Sequence, residues 1–227
     1  MSISLLALAH ILTGTLAVLG GAAAFIAPKG RRIHRAGGSV FFFSMLATAA
    51  SGAGIGLMEP DRLLITAFAG VLAGYLVLTG WRAARWREGE AGWPEHAALA
   101  AILAVIAGLV SLGVLALQSE TGRALGFAAE DYFMLAVMSG LGAVCDLTLL
   151  VRKRLSDRQR VARHLWRMGL AYFIAVGSFF TGPGAAVFPE ALRESGLLAA
   201  PEGATALLIL FFLARTLFNR PRRKADA

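Results

Sequence analysis

Residues 97–117 read AALAAILAVIAGLVSLGVLAL and contain no charged side chain. A helix of about 20 apolar residues spans the hydrocarbon core of a bilayer, so this stretch predicts a transmembrane helix. Six further stretches share its apolar character, and the full set is 4–27, 38–58, 63–81, 97–117, 132–151, 162–182 and 204–218. The sequence therefore predicts an all-α, polytopic membrane helix bundle with seven transmembrane helices.

The composition favours a single integral-membrane domain over residues 1–227. Hydrophobic residues make up 57% of the chain and charged residues only 16%, whereas soluble domains carry about 25% charged residues. Seven spans occupy roughly 140 residues, which leaves no room for a separate soluble domain. A 3 + 1 + 3 arrangement (1–81, 97–117 and 132–218) is also compatible with the spans, because the outer triplets would then run in the same directions.

The basic residues predict the orientation of the chain. Only Arg62, Arg123 and Arg193 lie in the second, fourth and sixth connectors. The other connectors and the tail carry most of the 22 Lys and Arg residues: Lys29, Arg31, Arg32, Arg35, Arg82, Arg85, Arg87, Arg152, Lys153, Arg154, Arg158, Arg160, Arg163, Arg215, Arg220, Arg222, Arg223 and Lys224. Because basic loops stay in the cytoplasm, the N-terminus is expected outside and the C-terminus in the cytoplasm. No basic residue precedes the first span, which argues against a cleaved signal peptide.

The net charge of +8 is better explained by the membrane than by nucleic acid, which we do not expect as a partner. The expected partners are the lipid bilayer and anionic lipid head groups at the cytoplasmic face, and a homo-oligomer is left open. The single cysteine, Cys145, excludes an intramolecular disulfide and a cysteine metal cluster. A composition rich in Ala, Gly and Arg fits a bacterial source, and hence the inner (plasma) membrane.

Asp146 is the one acid deep within a predicted span. An unpaired charge at the centre of a bilayer costs about 2.5–3.5 kcal/mol on insertion scales, so Asp146 needs a partner or a proton. Arg167 is expected at a similar depth, and His164 lies one turn nearer the cytoplasm. Two interpretations remain open, a structural ion pair with Arg167 and a carboxylate that handles protons or binds a ligand.

The four histidines are candidates for ligand binding. His10 is expected to face the bundle about two turns below the outer surface, whereas His34, His96 and His164 are expected near the cytoplasmic interface. Three imidazoles suit zinc, copper or haem iron, so these three form a candidate metal site. Their spacing matches no metal-binding motif, and structural hydrogen bonds or head-group contacts are the alternative.

Four short segments, taken in order, resemble a domain-of-unknown-function family of predicted bacterial multi-pass membrane proteins. They are HILTG at 10–14, GRRIHRAG at 30–37, LTGWRA at 78–83 and HLWRM at 164–168. The resemblance runs from the first span to the sixth and implies a bacterial multi-pass membrane protein, without implying an activity. It directs attention to His10, His34, Arg35, Arg82, His164 and Arg167.

Three functional hypotheses follow. The first is binding of a haem, a metal or a small ligand, with haem b or a transition metal as the cofactor and with His10, His34, Arg35, His164 and Arg167 as the ligand-binding candidates. For this hypothesis we expect helices 1, 2 and 6 to enclose a cavity between His10 and the pair His34 and His164. The second is a small proton-coupled transporter, and the third is a noncatalytic assembly or sensor protein. Enzymatic activity is neither indicated nor excluded, although the sequence contains no phosphate-binding loop, nucleophile elbow or zinc-protease helix.

Overall fold

The computed structural model describes residues 4–85 and 91–218, and almost all of them are helical. The α-helices are α1 (Leu5–Ile26), α2 (Arg32–Met58), α3 (Pro60–Ala84), α4 (Trp93–Gln118), α5 (Ala129–Arg152), α6 (Asp157–Phe180), α7 (Glu190–Glu194) and α8 (Ala200–Phe218). Two 3₁₀ turns cover Pro183–Val187 and Leu197–Ala199, and an antiparallel hairpin joins β1 (Arg123–Ala124) to β2 (Phe127–Ala128). Five residues counted in the charge pattern, Arg87, Arg220, Arg222, Arg223 and Lys224, lie outside the described residues.

Seven helices of the described chain are long and apolar enough to cross a membrane, which confirms the all-α bundle and the number of spans. Large apolar side chains point outward from them, including Leu19, Leu141 and Leu210 at 62%, 58% and 64% exposure. Exposed apolar faces on this scale are unfavourable in water and are what a lipid-facing surface requires. The chain therefore has the architecture of a multi-pass membrane protein.

Several helices extend beyond the apolar stretches that predict them. α2 begins at Arg32 and α6 at Asp157, because a helix continues past the hydrocarbon wherever its backbone hydrogen bonds can form. A capping box starts α6. Ser156 Oγ accepts from the Gln159 amide at 3.3 Å, and Gln159 Oε1 accepts from the Ser156 amide at 3.0 Å. α7 lies in the connector between α6 and α8.

The first three helices pack side by side in chain order, and α4 packs against α5. α6 packs against α3, α1 and α8 and so lies at the centre of the bundle. Among the described residues, the backbones of α5 and α6 make no extended contact. The two triplets of the 3 + 1 + 3 arrangement are therefore packed differently, and that arrangement stays a prediction.

Glycine permits a close helix contact where α1 crosses α2. A Cβ atom at Gly37 would lie 2.9 Å from the carbonyl oxygen of Gly20, closer than a carbon and an oxygen can approach without a shift of the backbone. Small residues let membrane helices approach in this way. The crossing fixes α2 against α1 and sets the position of His34 in the first turn of α2.

Candidate functional site

The carboxylate of Asp146 is buried at 1% exposure and has partners from two other helices. Arg167 Nη2 of α6 donates to Asp146 Oδ1 at 2.7 Å. Arg163, one turn earlier on α6, donates to the same oxygen. The Tyr75 hydroxyl of α3 donates to Oδ2. The predicted pair with Arg167 is therefore present, as part of a larger cluster of Tyr75, Asp146, Arg163 and Arg167, which we call the buried charge cluster.

The buried charge cluster holds two guanidinium groups and one carboxylate. Arg167 is completely buried and also donates to the Thr79 hydroxyl and, at 3.3 Å, to the Gly142 carbonyl. Arg163 donates to the Cys145 carbonyl at 2.9 Å. Both carboxylate oxygens accept hydrogen bonds. This geometry joins α5 to α6 by side chains where their backbones do not meet.

Sequence reasoning missed two members of this cluster. Arg163 was counted only among the basic residues of a connector, although its place four residues before Arg167 puts both on one face of a helix. Tyr75 carries no signal that distinguishes it from other aromatic residues in a span. Gly142 is the remaining clue, because a Cβ atom there would lie 2.8 Å from the Tyr75 hydroxyl oxygen.

His10, in the second turn of α1, is held against α2. Its Nδ1 lies 3.1 Å from the Thr48 carbonyl oxygen and 3.1 Å from Ser51 Oγ. Gly52 leaves room for the ring, since a Cβ atom there would lie 3.0 Å from its Cε1 atom. A carbonyl only accepts, so Nδ1 carries the hydrogen and Nε2 of the neutral ring has a free lone pair.

His34 and His164 both lie at the opposite end of the bundle from His10. His34 Nδ1 lies 2.9 Å from the Ala24 carbonyl of α1, and His164 Nδ1 lies 3.0 Å from the Gly80 carbonyl of α3. The two imidazoles are close enough to interact electrostatically, and Arg160 is a further neighbour of His164. Neither Nε2 atom has a hydrogen-bond partner in residues 4–85 and 91–218. We call these two residues the histidine pair.

The predicted cavity between His10 and the histidine pair is filled by aromatic side chains. Helices α1 and α2 pack together and α6 packs against α1, as expected. However, the Tyr172 ring of α6 lies 5.1 Å from the Phe25 ring and 5.9 Å from the Phe41 ring. Phe41 and Tyr172 are 3% and 8% exposed. The expectation of one continuous cavity is wrong, and His10 has an environment separate from that of the histidine pair.

The predicted three-histidine metal site is not assembled. His96 is exposed, and its Nδ1 lies 2.8 Å from the carbonyl of Gly92 in its own helical turn. Within the described ranges, no group of three or more His, Cys, Asp or Glu side chains lies in a position to hold a metal ion. His34 and His164 therefore remain together, while His96 remains apart from them. The grouping fails because His96 bonds within α4 rather than across the bundle.

Two arginines named by the family resemblance have different environments. Arg35 is exposed on the first turn of α2, beside His34 in sequence but outside the packed core. Arg82 forms an ion pair with Glu95, which is 5% exposed and joins the end of α3 to the start of α4. Glu95 Oε2 also accepts from the Gly92 amide at 2.8 Å. Arg82 therefore belongs to a helix junction, and sequence reasoning missed Glu95 as its partner.

Comparison of the chain with protein-family models, with curated proteins and with solved structures gives no match.

Proposed function

We propose that this chain is a multi-pass protein of a bacterial inner (plasma) membrane, with its N-terminus outside and its C-terminus in the cytoplasm. The uneven distribution of basic residues between alternate connectors supports this orientation. In a variant with Cys145→Ala, single cysteines at Leu125 and Ser195 should react with an impermeant maleimide from outside, and one at Arg158 only after permeabilisation. Reaction at position 158 in intact cells would contradict the orientation.

We further propose that the histidine pair binds a ligand or cofactor at the cytoplasmic end of the bundle. The observation that carries this proposal is that His34 and His164 each have Nδ1 fixed on a helix carbonyl and are within range of an electrostatic interaction with each other. Such a hydrogen bond orients an imidazole and leaves Nε2 free to bind, as in metal-ligating histidines. An ordinary packed histidine needs no second imidazole as its neighbour.

The donor set fits haem better than an isolated metal ion. Structural zinc sites take four protein ligands and catalytic ones three, whereas the described chain gathers no group of that size. Haem iron needs fewer ligands from the protein, and the imidazole nitrogens of His34 and His164 would hold it. Arg160 lies beside His164 and could pair with a propionate. Haem b, when bound, would supply one-electron transfer, and His34 and His164 would hold and orient it.

The proposal is tested on protein purified from cells supplied with a haem precursor, by the absorption spectrum and by metal analysis. We expect a Soret band that is lost in His34→Ala and in His164→Ala at matched amounts of folded protein. His96→Ala is the matched control and should retain the band. If the parent protein has no Soret band, gains none on titration with haemin and contains no transition metal, the cofactor proposal fails.

The geometry gives less support to the other two hypotheses. A proton-coupled carrier requires a carboxylate that exchanges protons with a water-filled space, whereas Asp146 is enclosed by Tyr75, Arg163 and Arg167. A noncatalytic assembly or sensor protein becomes the preferred interpretation if the His34 and His164 variants leave every measured cofactor unchanged.

A further inference from the structure

A cleft of about 260 Å³ lies between α5, α6 and the last turns of α8, apart from the histidine pair. Its walls are largely apolar and include Leu149 of α5 and Leu213 and Leu217 of α8. Arg152 and Gln159 lie at the end where α5 stops and α6 starts. The cleft thus has an apolar body and a basic, polar end.

The cleft exists because α5 and α8 do not meet. α8 packs against α6, with Ile209 against Gly169, and α5 is joined to α6 through the buried charge cluster. Arg158 Nη1 donates to the Leu217 carbonyl at 3.0 Å and so ties the start of α6 to the end of α8. The opening between the three helices is therefore built into the packing.

The size and depth of the cleft indicate what occupies it. Pockets that enclose a whole drug-sized ligand measure about 300–1,000 Å³, so this smaller cleft suits one acyl chain of a molecule whose remainder lies outside. All three helices are membrane spans, and the cleft is at the end of the bundle that carries the basic connector. The abundant molecule with an acyl chain at that depth is a membrane lipid.

The charge at the polar end indicates the type of lipid head group. Arg152 is exposed and lines the cleft. Arg163 forms part of the wall, and its cluster has one more guanidinium than carboxylates. Basic pockets between membrane helices on the cytoplasmic side bind phospholipid head groups. A zwitterionic head group would bring its own positive charge to the same place.

We propose that this cleft is a binding site for one anionic phospholipid, with an acyl chain between α5 and α8 and the phosphate at Arg152 and Gln159. The proposal does not depend on the histidine pair or its cofactor. It assigns a defined position to a lipid that would otherwise be one of many around the bundle.

Native mass spectrometry of the full-length protein in detergent tests this with phosphatidylglycerol and phosphatidylcholine of identical acyl chains. We expect about fivefold more bound phosphatidylglycerol, the factor that one basic residue near a membrane surface provides. Arg152→Gln should remove that preference. Arg154→Gln is the matched control, because Arg154 is exposed in the same connector and does not line the cleft.

Filling the apolar body of the cleft tests the position of the acyl chain. Leu213→Trp should reduce retained phosphatidylglycerol about fivefold, whereas Leu210→Trp, at a lipid-exposed position of the same helix, should not. In nanodiscs, brominated phosphatidylglycerol should quench the fluorescence component that Trp166→Phe removes, because Trp166 lines the cleft. This second measurement needs no variant of α8.

Three outcomes would overturn the proposal. Equal retention of the two lipids would remove the head-group argument, and full retention in Leu213→Trp would place the lipid elsewhere. Loss of bound phosphatidylglycerol on adding millimolar inorganic phosphate at constant ionic strength would identify free phosphate as the occupant.

Discussion

Replacing Asp146 by Asn should destabilise the bundle more than any other single substitution in the buried charge cluster. The substitution keeps the size of the side chain and removes its charge. Arg163 and Arg167 would then remain as two buried guanidinium groups, at 8% and 0% exposure, without a counter-charge. Removing one partner of a buried ion pair typically costs about 3–5 kcal/mol, and we expect Asp146→Asn to fall in that range.

Substitutions of the two arginines should cost less stability than Asp146→Asn, and their costs should differ from each other. Arg163→Gln leaves one guanidinium opposite one carboxylate, so its cost should be that of hydrogen bonds to a charged group, about 1.5–3 kcal/mol. Arg167→Gln should cost more than Arg163→Gln, because Arg167 also donates to Thr79 and Gly142. The double variant Asp146→Asn with Arg163→Gln should cost less than the sum of the two single variants, because one uncompensated charge has gone.

The assay is unfolding of the purified protein in mild detergent, followed by size-exclusion chromatography after heating and by titration with denaturing detergent. Asp157→Asn is the matched control, since Asp157 is 95% exposed and pairs only with Arg160 at the surface; it should leave the transition unchanged. The reasoning is refuted if Asp146→Asn unfolds at the same point as Asp157→Asn. That result would mean the carboxylate is not required for packing, and the proton-handling interpretation would gain support.

Two further predictions concern helix junctions. Gly37→Ala should destabilise the crossing of α1 and α2 by about 1–3 kcal/mol, the usual cost of overpacking. A Cβ atom at Gly38 would meet no atom within 4 Å, so Gly38→Ala should be neutral or stabilising in the same heating assay. Glu95→Gln should lower the unfolding transition less than Glu95→Ala does. The amide oxygen of Gln can still accept from the Gly92 amide, and only the charge opposite Arg82 is lost. Equal effects of the two substitutions would show that the cap contributes nothing.

Hydropathy predicted the number of spans because the cost of exposing polar backbone to lipid forces each crossing into a long apolar helix. Residues 97–117 could be assigned as a membrane span from their hydropathy alone. The helix ends were less predictable, as α2 and α6 begin among charged residues. At α6 the local sequence still indicates where the helix starts, because Ser156 and Gln159 form a capping box there.

The candidate site was predicted less completely, for a physical reason. Depth in the membrane can be read from position in a span, and it correctly matched Asp146 with Arg167. Depth does not say which helices are neighbours, so His96 was grouped with His34 and His164 although its ring bonds within its own helix. Depth also does not predict whether a gap between helices is open. The rings of Phe25, Phe41 and Tyr172 fill the cavity that was expected between His10 and the histidine pair.

The two polar sites of the bundle share α3 and α6, but only the buried charge cluster includes a residue of α5, so we expect their contributions to be separable. His164 bonds to Gly80, at the end of α3 near α1 and α2, whereas Arg167 turns towards Asp146 on α5. His34 Nδ1 bonds to the Ala24 carbonyl of α1 and His164 Nδ1 to the Gly80 carbonyl of α3, so neither hydrogen bond involves α5. If the histidine pair binds a cofactor as proposed, Asp146→Asn should lower stability while the remaining folded protein keeps that cofactor. His164→Ala should lose the cofactor and leave stability largely unchanged. Loss of cofactor from folded Asp146→Asn protein would instead mean that the buried charge cluster and the histidine pair act as one site.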